Sequence, residues 1–267
     1  MNNVGTEEGR ALYGDAYRDL AFFEKLHLTA AGDRRSDRFH DGMGLATQHI
    51  AMTSRFEIAL QAIDPTIACP YWDYTLEQYF AKKAGMKDRF GEWFRSSELW
   101  TDKWFGATSG SRHTVTQGRF AYQEVPIDWN AETHSPYGYL RAPWNLNPSK
   151  YVTRYHQGLG ASYEIFTLSF QWPTCAQHYK MTFNYDSWYD WSWEIGYNPH
   201  GPVHAWIGGI GGDHEDWDED LKKILGKAFE PDVVARTSQG IRTSSFALLK
   251  NLWRDEYVNT PEFCTAD

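Results

Sequence analysis

The sequence predicts a mainly α-helical fold, because three separate segments carry apolar side chains at the spacing of a helix surface. These segments are residues 15–27, 45–63 and 243–257. Residues 85 to 195 are instead rich in Trp, Tyr, Gly and Pro and show weak periodicity, which predicts irregular connections with short helices or strands. We therefore expect helices joined by long, aromatic-rich connections.

The first two helices enclose a loop. Residues 15–27 place Leu20, Phe23 and His27 on one face, and the following AGDRRSDRFHDGMG has the Gly and Asp content of a loop. The second helix should end at Asp64-Pro65, since the residue before a proline disfavours helical geometry. His49, Thr53, Phe56, Leu60 and Ile63 fall on one side of this helix, and the region around His49, Phe56, Leu60 and Ile63 is expected to be buried.

Two helices are predicted in the second half of the chain. One begins at Pro199, because proline suits the start of a helix, and the other covers 243–257 with Thr243 or Ser244 as its N-cap. Residues 178–186 are predicted to form a short strand, since β-branched and aromatic residues alternate loosely there. The aromatic residues of 183–194 are expected to fill the core, with a pocket wall as the alternative.

Domain organisation follows from the absence of repeats, low-complexity tracts and Pro/Ser-rich linkers, which favours a single domain over residues 1–267. The polar start of the chain has no apolar signal region, so either the protein is not secreted or its natural N-terminus lies elsewhere. Compartment, oligomeric state and membership of a longer chain stay open.

Composition excludes several functions. Lys and Arg number 26 against 35 Asp and Glu, a formal net charge of −9, so nucleic acid is not an expected partner. No run of eighteen apolar residues occurs, so no membrane span is expected. Three widely spaced cysteines fit neither a disulfide scaffold nor a Cys-based zinc site, although one disulfide stays open.

Five of the ten histidines form two groups with metal-ligand spacing. The first group is His27, His40 and His49, and the second is His200 and His204. Four residues apart, the second pair shares a helix face, where two imidazoles can reach one ion. No acidic residue lies between them as in a zinc-protease helix. An isolated HxxxH pair is weak evidence, so the surrounding residues decide.

Those surroundings resemble tyrosinases and catechol oxidases, the type-3 copper proteins. In that family the first copper takes a His from a helix, a His from the next loop and a third His nine residues later, followed by Phe-Glu seven and eight positions on. His27, His40, His49 and Phe56-Glu57 match this pattern, and DPTIACPYWD at 64–73 matches the family's DPxxxxPYWD loop.

The second copper site of the family begins with an HxxxH helix followed by an aromatic residue and two glycines. His200, His204, Trp206, Gly208 and Gly209 match it. The resemblance covers about 15–75 and 196–212. It implies a four-helix bundle core holding two coppers, with the five grouped histidines as ligands and Phe56 packed beneath the metals.

The resemblance also implies an activity, the oxidation of o-diphenols (catechols) to o-quinones. Dioxygen and a small phenolic substrate would be the partners. Glu57 is expected to be a supporting or surface carboxylate. Several family members carry Asn after the first His of the second copper, whereas this chain has Gly201, which argues against monophenol hydroxylation more than against catechol oxidation.

The chain departs from the family at the third ligand of the second copper, normally a His in a downstream DPxFxxHH helix. Residues 243–257 contain no His, and only His214 follows His204. Lys250 and Asn251 are poor substitutes, since Lys must first lose a proton and an amide suits a soft metal badly. We predict two histidines only at the second site, His214 remote from it, and apolar side chains against the metals from Phe246, Leu249 and Trp253.

An incomplete second site leaves alternatives open. One is a catalytically degenerate member acting as a binding or structural protein, and another is a hemocyanin-like dioxygen carrier. Copper content distinguishes the degenerate protein from the other two, and catechol turnover distinguishes enzyme from carrier.

Overall fold

The chain is mainly helical in the computed structural model, which confirms the predicted class. The described residues are 1, 3–86, 93–94, 96–109, 113–125, 135, 137–145, 147, 149–154, 172–208, 222–224 and 226–259. Among them no helix has the length and apolar character needed to cross a membrane. The four-helix bundle arrangement stays a prediction.

The helices and strands occur in this order. The first half contains α1 (Thr6–Tyr13), α2 (Leu20–Ala31), α3 (Gly44–Gln61) and α4 (Thr75–Lys83). A 3₁₀ turn (Glu98–Trp100) and a short antiparallel pair, β1 (Thr108–Ser109) and β2 (Thr114–Val115), follow. The second half contains α5 (Cys175–Met181), α6 (Trp188–Ile195), a π turn (Gly196–His200), α7 (Gly201–Gly208) and α8 (Pro231–Arg254).

The start of α2 is fixed by Asp19. One carboxylate oxygen accepts the backbone N–H of Phe22 at 2.8 Å, and the other accepts that of Thr6 at 2.8 Å. The Asp19 side chain therefore caps α2 and also holds the first residue of α1. The turn before α2 ends at this residue. The prediction of a helix from residue 15 is therefore wrong by five residues.

The buried face predicted for α3 is only partly correct. His49, Phe56 and Leu60 are half-buried, but Ile63 is exposed. The helix ends at Gln61, and a tight turn with the backbone N–H of Ile63 on the carbonyl of Leu60 carries Ile63 outward. That turn is the physical reason for the error.

Two predictions in the second half are also wrong. Residues 178–186 are not a strand, because Thr174 and Gln177 form a capping box that begins α5. The last helix begins at Pro231, which occupies its first turn, so neither Thr243 nor Ser244 is its N-cap. The helix predicted from Pro199 is α7, which begins at Gly201 after a π turn that contains the proline.

The aromatic connections build a core between α4 and α7. Trp172 lies in this core and donates its indole N–H to the carbonyl of Tyr74 at 2.7 Å. Trp72, from the DPxxxxPYWD loop, contacts the Trp172 ring. The buried members of the cluster are Ala81, Phe94, Trp172 and Val203.

Segment 183–194 does not fill the core as expected. Phe183 is 67% exposed, Tyr189 61% and Trp188 52%. The rings stack on one another instead, as Tyr189 does on Trp193. Cys69 and Cys175 are free thiols, and Cys264 lies outside the described residues.

Glu77 provides a test of this core. Its two carboxylate oxygens accept the indole N–H groups of Trp72 and Trp93, each at 3.1 Å. Glu77→Ala leaves both donors without an acceptor and should lower the free energy of unfolding by about 2 kcal/mol. Urea unfolding followed by circular dichroism measures it, with Glu98→Ala at an exposed position as control. Equal stability of the two variants would contradict the assignment.

Candidate metal centre

Three histidines from three consecutive segments meet at one point. His27 comes from α2, His40 from the loop that follows and His49 from α3. One ring nitrogen of each lies within 4.8 Å of the others, and the Nε2 atoms of His27 and His40 are 3.3 Å apart. The convergence predicted from their spacing is therefore present.

The separation of these nitrogens suits a single metal ion. Two imidazole nitrogens that each lie about 2.0–2.1 Å from one ion at a tetrahedral angle are about 3.3 Å apart. The pair formed by His27 and His40 has that separation. Imidazole ligands suit copper, zinc, iron and nickel, so geometry alone does not select the metal.

Hydrogen bonds on the far side of two rings fix which nitrogen faces the centre. His40 Nδ1 lies 2.9 Å from a carboxylate oxygen of Asp37, and His49 Nδ1 lies 2.8 Å from the carbonyl of Leu45. Both partners are acceptors, so each ring carries its proton on Nδ1. The Nε2 lone pairs are left for a ligand, the usual arrangement of a metal-binding histidine.

Asp37 also shapes the loop that carries His40. Its Oδ1 accepts the backbone N–H groups of Phe39 at 3.0 Å and His40 at 2.9 Å, and the residue is 1% exposed. The loop then packs against the start of α3 at Gly44, where a Cβ would lie 2.2 Å from the carbonyl oxygen of Arg38. Only glycine permits that approach, which brings the loop next to His49.

The negative charge of Asp37 is balanced from α8. Lys250, 6% exposed, places Nζ 2.7 Å from Asp37 Oδ2 and 3.3 Å from Asp41 Oδ1. Burial acts to raise the pKa of Asp37, but the hydrogen bonds and charges of His40 and Lys250 outweigh burial and hold it below its usual range. Asp37 is therefore an anion.

Phe39 is the ring that contacts the histidines. Its centroid lies 4.9 Å from that of His27 and 5.2 Å from that of His49, both edge-on, and the residue is 3% exposed. Phe56 packs edge-on against Phe23 of α2 at 5.3 Å. Its position beneath the metals stays a prediction, whereas Phe39 was missed although it precedes His40.

Glu57 has a structural contact outside the histidine cluster. Its Oε2 accepts the backbone N–H of Cys69 at 2.7 Å, which ties the loop at 64–73 to α3. This contact agrees with the expected supporting carboxylate. Of the histidines outside the two groups, His178 lies against Tyr74, while His134 and His156 lie outside the described residues.

The second pair is positioned by the π turn before α7. Pro199 lies inside that turn and Asn198 leaves helical geometry, with φ −133° and ψ 41°. His200 donates its Nδ1 proton to the carbonyl of Gly196 at 3.2 Å, so its Nε2 carries a lone pair. His200 and His204 lie one helical turn apart in the sequence, and their Nε2 atoms are 2.7 Å from each other. Single-turn π segments inside helices are frequent at functional sites.

The two histidine groups belong to one cluster. The ring centroids of His49 and His200 are 6.3 Å apart. The pKa of His204 is lowered to about 3, first by desolvation from the surrounding protein and then by repulsion from His200, His40, His49 and His27. The residue nevertheless keeps some exposure to solvent. Burial, followed by His40 and His49, lowers the pKa of His27 to about 4. His27 and His204 are therefore neutral at pH 7.

No sixth histidine joins this cluster among the described residues. His214 and Gly209 lie outside them, as do the side chains of Trp206 and Phe246. The prediction for Trp253 is wrong, because its buried ring packs against Trp144 at 5.2 Å and under the guanidinium of Arg34 at 4.8 Å. Lys250 of α8 approaches the histidine loop, although the sequence indicated it only as a poor ligand.

The low pKa values of His27 and His204 predict a pH-dependent stability. In the unfolded chain, histidines protonate near pH 6.5, whereas His27 and His204 resist protonation in the fold down to about pH 4 and 3. The unfolded state then binds more protons, so copper-free protein should lose stability as pH falls from 6.5 to 4. Urea unfolding at several pH values measures this loss. His27→Gln should flatten the dependence and His113→Asn should not, and equal slopes would contradict the assignment.

Comparison with known proteins agrees with this geometry. No curated protein matches the chain significantly. The family model of the common central domain of tyrosinase matches residues 14–225, a span that contains all five clustered histidines and most of the chain. The chain therefore belongs to the tyrosinase family of type-3 copper proteins.

Proposed function

We propose that the protein is a copper-dependent oxidoreductase that oxidises o-diphenols to o-quinones with dioxygen. The observation that carries the proposal is the convergence of His27, His40 and His49, joined by His200 and His204 across the cluster. Family membership supplies copper as the metal. Two ions are proposed, held by the three-histidine and two-histidine groups respectively.

The residues present fit copper by their donor chemistry. The Nε2 lone pairs of His40, His49 and His200 face inward because each Nδ1 proton is engaged by an oxygen acceptor. Neutral imidazole binds both oxidation states of copper without adding charge. Bound copper would supply the exchange of electron pairs between the diphenol and dioxygen.

The protein contributes ligands that do not need to lose a proton. The low pKa values of His27 and His204 keep both rings neutral at physiological pH, so protons compete weakly for their nitrogens. Phe39 covers one side of the three-histidine group with a buried apolar ring, which excludes water there. The imidazoles are thus held in binding form before the metal arrives.

A small phenol would approach at the second pair. Among the described residues of the cluster, His204 is exposed, whereas His27, His40, His49 and His200 are half-buried. Exposed aromatic rings on α6, Tyr189 and Trp193, stand on the segment that leads into the π turn. Flat aromatic surfaces of this kind pack well against a phenol ring.

Copper loading and turnover test the proposal. The purified chain is loaded with copper, metal per chain is counted, and quinone formation from catechol is followed with oxygen consumption. The expected stoichiometry is two catechols oxidised per dioxygen, with two quinones and two waters formed. His49→Ala should lose copper and at least about 100-fold in rate, since a bonded ligand is removed.

The control is His113→Asn, at a position with φ 53° that asparagine tolerates. It should keep copper and activity. Reversible oxygen uptake without quinone would indicate a carrier, and copper-free protein after loading would indicate the degenerate alternative. Either result contradicts the proposed activity.

A further inference from the structure

Lys250 is a buried cation that reaches the metal-binding loop from the far end of the chain. It lies on α8, 213 residues after Asp37, and is 6% exposed. Its ammonium contacts carboxylates of Asp37 at 2.7 Å and Asp41 at 3.3 Å. Burying a lysine costs free energy that its ion pairs must offset. We therefore expect the buried ammonium of Lys250 to have a role that compensates for this cost.

Its partner Asp37 is already bound to the ligand loop. The carboxylate accepts the backbone N–H groups of Phe39 and His40, the Nδ1 proton of His40, and the Nζ proton of Lys250. A carboxylate offers about four lone-pair sites, so these donors saturate it. Oδ2 is shared between the His40 ring at 2.9 Å and the Lys250 ammonium at 2.7 Å.

This geometry makes the orientation of the His40 ring depend on Lys250. Without the ammonium, Asp37 would be an unpaired buried anion, and its carboxylate would be free to rotate away from the ring or draw in water. A ligand ring that loses its partner on Nδ1 also loses its fixed direction toward the metal.

We propose that Lys250 is a positioning residue for the three-histidine site, acting through Asp37 to hold the His40 ring in its metal-binding orientation. The inference rests on the proposed function. Lys250 itself is not a ligand, since its ammonium is engaged by two carboxylates. It acts on the affinity of the site for copper.

Arg254 provides a matched control on the same helix, one turn further on. Its guanidinium contacts Asp41 Oδ2 at 2.7 Å. Both cations therefore fasten α8 to the loop, but among their described contacts only Lys250 bonds the carboxylate that holds His40. Arg254→Met removes a fastening contact and leaves the Asp37 to His40 connection in place.

The test compares Lys250→Met with Arg254→Met. Affinity for Cu(I) is measured on the full copper-free chain by competition with a chromogenic chelator, and urea unfolding of the same samples measures stability. Lys250→Met should bind Cu(I) about 10-fold more weakly, the lower end of the range for residues that orient a ligand. Arg254→Met should stay within about 2-fold. Equal affinities of Lys250→Met and wild type would overturn the inference.

A second variant covers the case in which Lys250→Met does not fold. The double variant with Lys250→Met and Asp37→Asn removes both charges, so no buried anion is left. ¹⁵N NMR of the imidazoles should show the neutral His40 ring as the Nδ1-protonated tautomer in the wild type and as a mixture of the Nδ1 and Nε2 tautomers in the double variant, with weaker Cu(I) binding. An unchanged tautomer and affinity would overturn the inference. Wild-type protein that fails to bind Cu(I) would overturn the proposed function, and the inference with it.

Discussion

The carboxylate of Asp37 is the constraint on which the site depends. It is buried, it holds two backbone N–H groups of its own loop, and it orients the ring of His40. It also receives the ammonium that ties α8 to that loop. One side chain thus couples the local conformation of the ligand loop to a helix from the opposite end of the chain.

The histidine cluster gains metal-binding capacity at a cost in stability. Burial and then repulsion from neighbouring histidines lower the pKa values of His27 and His204. Polar nitrogens turned toward one another and away from solvent are unfavourable unless a ligand or hydrogen bond satisfies them. Metal binding to the folded chain alone would offset that cost.

The sequence predicted the grouping of the histidines in two ways. The helical repeat places His200 and His204 on one face, whereas the resemblance to type-3 copper proteins singled out His27, His40 and His49, which the structure brings together. The start of α2 was predicted too early and part of α5 was predicted as a strand, because the capping roles of Asp19 and Thr174 were overlooked, although both residues are visible in the sequence.

The contacts that hold the site together could not be predicted in the same way. Lys250 meets Asp37 across 213 positions, and no local pattern marks either residue as a partner of the other. The helical spacing of residues 243–257 correctly predicted a helix, but not that it would send a lysine toward the ligand loop while Trp253 packs on Trp144. Such pairings arise from tertiary packing.

Anomalous X-ray diffraction from crystals of the copper-loaded protein, recorded on both sides of the copper edge, tests the central claim most directly. The account predicts a copper peak about 2 Å from the Nε2 atoms of His27, His40 and His49, and a second peak beside His200 and His204. Copper bound elsewhere, or a three-histidine cluster without a peak in crystals that hold copper, would contradict it.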